Sequence, residues 1–197
     1  MLKQILASDA DGVFIDWNRE FLVFANARLG IGKTYDDYKT HNLYETFDTD
    51  QATMQRLVDE FDDEFCRHDF SLVAGASEYS QALGDRYRFA IITSCPDSYK
   101  ISRQRFFERI LPGSQVLFTS GKNNTLTGRD GRLTKLETVR SLCATAFIDD
   151  NEHEFYDWDP EVALPICYAQ PWNRSLELTH PHIPRLTWPE IAELLLA

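Results

Sequence analysis

The chain has 197 residues, 43% of them hydrophobic, and a formal charge of −11 with a pI near 4.8. That is the size of one domain with a modest insertion and enough apolar content for a real core. The acidity excludes a polyanion-binding surface, so no nucleic acid polymer is expected as a partner. No run of 18 apolar residues and no signal-peptide profile is present, and the sequence reads as a soluble cytoplasmic protein with no membrane partner.

The first predicted strand, Ile5-Leu6-Ala7, stops on Asp9 and Asp11 with Gly12 behind them. A short apolar run bounded by a turn signal suits a buried parallel strand, and open α/β sheets bind ligands at such strand tips. Extended backbone points Asp9 and Asp11 the same way, and two like charges held this close call for a hard divalent cation.

Residues 16–29 carry Trp17, Phe21, Leu22, Phe24, Ala25 and Leu29 at helical intervals, ended by Gly30 and Gly32. Residues 35–47 read as short helical turns. Asp50 is expected to cap a helix running to about Arg67, with Met54, Leu57, Val58, Phe61 and Phe65 on one face. Residues 16–74 are thus predicted as a helical cap inserted after the first strand, with 1–15 and 75–197 as the core domain.

The core continues as helix 75–84, strand 87–93 ending in Thr93-Ser94, helix 98–110, strand 116–118, a long loop 119–132, helix 134–142 opening near Lys135, and strand 145–148 ending on Asp149-Asp150. A fifth strand at 162–168 contains Pro165, which suits a sheet edge better than a central position. A closing helix spans 188–196. Strands alternating with helices predict an α/β fold, a three-layer Rossmann-like parallel sheet. The four cysteines, Cys66, Cys95, Cys143 and Cys167, show no zinc spacing and are expected reduced and mostly buried. The five histidines read as surface or capping residues.

Three strand tips therefore supply one crevice with Asp9, Asp11, Thr93, Ser94, Asp149 and Asp150, joined by Lys135 from a helix start. This set suits phosphoryl transfer, where charge on the phosphate oxygens must be neutralised. In order along the chain, DADGV at 9–13, IIT at 91–93, Lys135 and FIDD at 147–150 resemble the four motifs of the haloacid dehalogenase superfamily of phosphatases.

The resemblance implies Asp9 as nucleophile, Asp11 as general acid and base, and Thr93, Ser94 and Lys135 as phosphate-binding groups. It also implies Mg²⁺ held by Asp9, the Asp11 carbonyl and the acids Asp149 and Asp150, with Asp150 the direct ligand and Asp149 acting through water. Lys122, in the long loop, is the alternative to Lys135. Within the superfamily, the cap entrance DGVFIDWNREFL, the aromatic-rich cap and the stretches PWNR and RLTWPEI resemble the 5'(3')-deoxyribonucleotidases. That implies a (deoxy)nucleoside monophosphate as the small-molecule phosphate ester, with Trp17, Phe21, Tyr44 and Phe47 as candidates for stacking on its base; the helical spacing or apolar setting of Phe21 and Phe47 favours cap core for those two, leaving Trp17 and Tyr44. A phosphatase for another metabolite such as a sugar phosphate, and a non-catalytic module sensing phosphate, are the alternatives.

Overall fold

A computed structural model describes residues 3–65, 70–95, 99–119 and 133–197. Its centre is a parallel sheet of β1 (Gln4–Ser8), β2 (Tyr87–Thr93), β3 (Gln115–Phe118), β4 (Ala146–Asp149), β5 (Leu164–Tyr168) and β6 (Arg185–Leu186), in the order β3-β2-β1-β4-β5-β6. The predicted α/β class and three-layer parallel sheet are observed. The helices are α1 (Trp17–Leu29), α2 (Leu43–Thr46), α3 (Gln51–Phe65), α4 (Ala76–Leu83), α5 (Lys100–Ile110), α6 (Lys135–Leu142), α7 (Leu176–Thr179) and α8 (Trp188–Leu196).

Strand alternation divides the apolar side chains into two layers. Leu6, Phe89, Ile91, Ile148 and Ile166 join one core with Leu83 of α4, Phe106 and Phe107 of α5 and Trp188, Ile191 and Leu195 of α8. Their neighbours Ala7, Ile92, Phe147 and Cys167 face the other way, against Val139 of α6, Phe155 and Leu176. Covering both faces is what lets these strands read as continuous apolar runs.

The sheet has one strand more than the sequence predicts, because β6 is only two residues long and has no periodicity to read. Its brevity also resolves Pro165. The N–H groups of Leu164 and Cys167 point to opposite neighbours, Thr145 and Pro184. By alternation, position 165 faces the β6 side, where pairing begins only at Cys167↔Arg185. The missing N–H of Pro165 therefore costs no ladder bond.

Between β1 and α4 the described chain is helical. Trp17 stacks on Phe21 with centroids 4.8 Å apart, and Phe21 meets Phe47 edge-on at 5.7 Å and Phe61 at 5.4 Å. Phe21 and Phe47 are buried within that core. Asp50 caps α3 through the Thr53 N–H at 2.9 Å. Cys95 and Cys167 are free and buried, whereas Cys143 is exposed in a left-handed cap at the end of α6. Cys66 and Lys122 lie outside the described residues, as does most of the loop around Lys122. Among the described residues no helix is long and apolar enough to cross a membrane.

Trp188 ties the closing helix to the first loop, donating its indole N–H to the Val13 carbonyl at 3.0 Å in a fully buried setting. Trp188→Phe leaves that carbonyl unpaired, and a loss of about 1–3 kcal/mol is expected in denaturant unfolding.

Candidate active site

The order of strands reverses beside β1, so the tips of β1 and β4 open a crevice at their C-terminal ends. Asp9 extends the β1 ladder by one bond, its N–H donating to Ile148 of β4 at 2.8 Å. The chain then folds back, with the N–H groups of Phe14 and Ile15 both donating to Ala10. Gly12 lies at the bend with φ +72, and a Cβ there would stand 2.4 Å from Asp150 Oδ2. The glycine lets two acidic loops touch.

Residues after β5 hold both loops in register. Asn173 Nδ2 and Trp172 Nε1 donate to the Asp150 carbonyl at 2.8 and 3.3 Å, and Gln170 Nε2 donates to the Gly12 carbonyl at 2.6 Å. Arg185 Nε completes the brace by donating to Asn173 Oδ1 at 2.7 Å. Trp172 and Asn173 of PWNR and the arginine of RLTW are thus occupied in supporting the acidic tips, whereas Arg174 pairs with Asp36 at the surface.

Lys135 enters from the first turn of α6, fixed by the capping box in which Glu137 N–H donates to Thr134 Oγ1 and Thr134 N–H to Glu137 Oε2. Its Nζ lies 2.9 Å from Asp9 Oδ2 and 2.7 Å from Asp149 Oδ2. Burial opposes its charge, but Asp149, Asp9 and Glu154 together hold it well above the ordinary lysine range. The carboxylates it faces thus hold an ammonium at the unfavourable end of a helix dipole.

Oxygens of Asp9, Asp149 and Asp150 lie within 4.8 Å of one another, all buried. Three carboxylates thus face one ammonium. Burial raises both Asp149 and Asp150; Lys135 pulls Asp149 back, and the charges of Asp149 and Asp9 push Asp150 higher still. Asp149 is doubly engaged, since its Oδ1 also accepts the Asn151 N–H at 2.9 Å. No cation among the described residues pairs with Asp150. A buried all-oxygen donor set with excess negative charge fits a hard divalent cation.

Asp11 lies beside this cluster with 33% of its side chain open to the cleft. Burial raises its pKa, with the Arg103 guanidinium opposing. The cleft holds about 380 Å³ and is lined by Asp9, Asp11, Thr93, Ser94, Lys135 and Asp150 on the sheet side. Thr93 is buried at the tip of β2, and Ser94 Oγ shares a hydrogen bond with Thr119 Oγ1 at 3.1 Å. Trp17, Asn18, His41 and Leu43 line it from the helical side. Tyr44 is not part of that lining and packs against the hydrophobic core instead. A larger hollow of about 700 Å³, at the N-terminal ends of β1 and β2, contains no comparable acidic cluster among the described residues.

Three neighbours of the site had no legible signal in the sequence. Arg103 on α5 reaches Asp11 Oδ1 with Nη2 at 2.7 Å, yet its spacing is that of any helical arginine. Glu154 is buried at the mouth. His41 is exposed, as the sequence suggests, yet it also borders the cleft, where desolvation and then the charge of Lys135 push its pKa down.

No family model matches the sequence, and no curated protein matches it significantly. Solved structures do match over nearly the whole chain. A haloacid dehalogenase-like family hydrolase from Streptococcus pneumoniae aligns with TM-score 0.62 at 10% identity, covering 98% of each chain. Proteins provisionally named phosphoglycolate phosphatases, from Lactobacillus delbrueckii subsp. bulgaricus and Lactobacillus plantarum, align with TM-scores of 0.61 and 0.59 at 16% and 14% identity. These alignments cover 98% of this chain, and 98% and 100% of theirs. At such identities the likeness is one of architecture, and the chain has the haloacid dehalogenase-like fold.

Proposed function

We propose that the protein is a Mg²⁺-dependent phosphomonoesterase that works through an aspartyl-phosphate on Asp9. The observation that carries this reading is Lys135 bridging Asp9 and Asp149 at 2.9 and 2.7 Å, with Asp150 within the same cluster and Asp11 open to the same cleft. Asp9 Oδ attacks phosphorus while the bond from phosphorus to the ester oxygen breaks, its electron pair leaving with that oxygen. Asp11 delivers a proton to the departing alkoxide and then takes one from the water that attacks the aspartyl-phosphate, releasing phosphate and restoring Asp9. Thr93, Ser94 and Lys135 bind the phosphate oxygens. Asp9, the Asp11 carbonyl and Asp150 would hold the Mg²⁺, with Asp149 acting through water, and the ion would supply further neutralisation of phosphate charge.

Residues 16–74 serve in this reading as a cap over the core of 1–15 and 75–197. The substrate is a (deoxy)nucleoside monophosphate. Trp17 offers an aromatic wall, and among the described lining residues the only cation is Lys135, already paired with two carboxylates. An uncharged alcohol suits that lining better than one carrying a second anion. Tyr44 would contribute only through a movement of α2 that brings its ring into the cleft.

Phosphate release across a panel of nucleotides, sugar phosphates and phosphoglycolate tests this. The expected order places a nucleoside monophosphate first, and a sugar phosphate preferred over every nucleotide would overturn the assignment. Chelation of divalent cations should remove activity and Mg²⁺ should restore it. Undiminished turnover in chelator would exclude the metal.

A further inference from the structure

Arg103 is 3% exposed, an unusual situation for an arginine, and two of its three nitrogens, Nε and Nη1, are buried without a hydrogen-bond partner among the described residues. Its third nitrogen, Nη2, pairs with Asp11 Oδ1 at 2.7 Å. The guanidinium carbon lies over the Phe70 ring, 4.8 Å from its centroid.

A buried charge so poorly satisfied contributes little stability, because pairs of this kind are commonly replaced by apolar residues at no net cost. Its location is more informative than its energy. Asp62 of α3 accepts the indole N–H of Trp17, a residue of the cleft wall, at 3.2 Å, and the charges of Asp11 and Arg103 act on its carboxyl in opposite directions.

Building on the phosphomonoesterase reading, we infer that Arg103 is a positioning residue that sets the direction of the Asp11 carboxyl, wedged against Phe70. Arg103 itself touches no reacting atom. Its contribution reaches the reaction only through proton delivery to the leaving oxygen, and its value depends on how much the leaving group needs that proton.

The test compares kcat/KM, which reports steps up to aspartyl-phosphate formation, for two esters. 4-Nitrophenyl phosphate has a leaving group that departs readily unprotonated, and glycerol 2-phosphate has one that does not. Arg103→Met should lose about 10- to 100-fold on glycerol 2-phosphate, a part of the full value of a general acid, and less than about threefold on 4-nitrophenyl phosphate. Arg103→Lys should recover part of the loss. In an Asp11→Asn background, Arg103→Met should have no further effect on either ester.

Equal losses on the two esters, or losses that add to those of Asp11→Asn, would overturn the inference and leave Arg103 a structural residue. If Arg103→Met fails to fold, Arg103→Lys in both backgrounds carries the same comparison. A parent active on both esters, and silenced by Asp9→Asn, separates failure of this inference from failure of the phosphatase reading. A parent inactive on both overturns both.

Discussion

Asp9→Asn should reduce phosphate release by at least about 10³-fold, without loss of folded structure, on any ester the parent hydrolyses. The substitution keeps the size and shape of the side chain and removes the anionic oxygen that would attack phosphorus. It leaves the Lys135 to Asp149 pair at 2.7 Å intact, so the centre keeps its main contact. It also lowers the number of carboxylates crowded within 4.8 Å from three to two. In chelator, where Lys135 is left to offset the repulsion without a divalent ion, the variant should melt at the same temperature as the parent or higher, a stability sacrificed at many functional sites. Thermal unfolding and phosphate release on one preparation check both halves. Parent-like turnover would exclude aspartyl catalysis, and a large fall in Tm would mean that Asp9 is a structural acid.

The sequence made much of this site legible because the chemistry stands at strand tips, where an apolar run is broken by a polar residue. Asp9, Thr93 and Asp150 each follow such a run, and Lys135 sits in the first turn of a helix where a cation is electrostatically disfavoured. Arg103 and His41 are different. Arg103 occupies a helical position that reads as solvated, and only packing onto the sheet buries it, whereas His41 stays exposed and borders the cleft from a polar segment. Gln170, Trp172, Asn173 and Arg185 stand in or beside the stretches PWNR and RLTWPEI, which in sequence carried only a family resemblance, and their hydrogen bonds go to the Asp150 and Gly12 carbonyls and to one another. The two-residue β6 was illegible for a simpler reason, since a strand that short carries no alternation.

Gly12→Ala should be more damaging than the size of a methyl group suggests. At φ +72 the residue occupies left-handed space, which costs an alanine about 1 kcal/mol. Added to this is a steric conflict, because the new Cβ would stand 2.4 Å from Asp150 Oδ2 and 2.6 Å from Cγ. Asp150 has little room to retreat. Its carbonyl is held by Asn173 and Trp172, and the Gly12 carbonyl is held by Gln170. Moving the carboxylate displaces the one member of the acidic cluster without a cationic partner among the described residues, so cation affinity and turnover should fall together, by at least about tenfold for a 1 Å misplacement. Gly113→Ala is the control: its φ is +83, but a Cβ there meets nothing within 4 Å. That variant should show a backbone penalty of about 1 kcal/mol and parent-like activity. If the two alanine variants behave alike in Mg²⁺ titration and in kcat/KM, the close approach of the β1 loop to Asp150 does not govern the site. A selective loss at Gly12 would show that the separation of these two loops, set by a missing side chain, is what holds the acids of β1 and β4 around one ion.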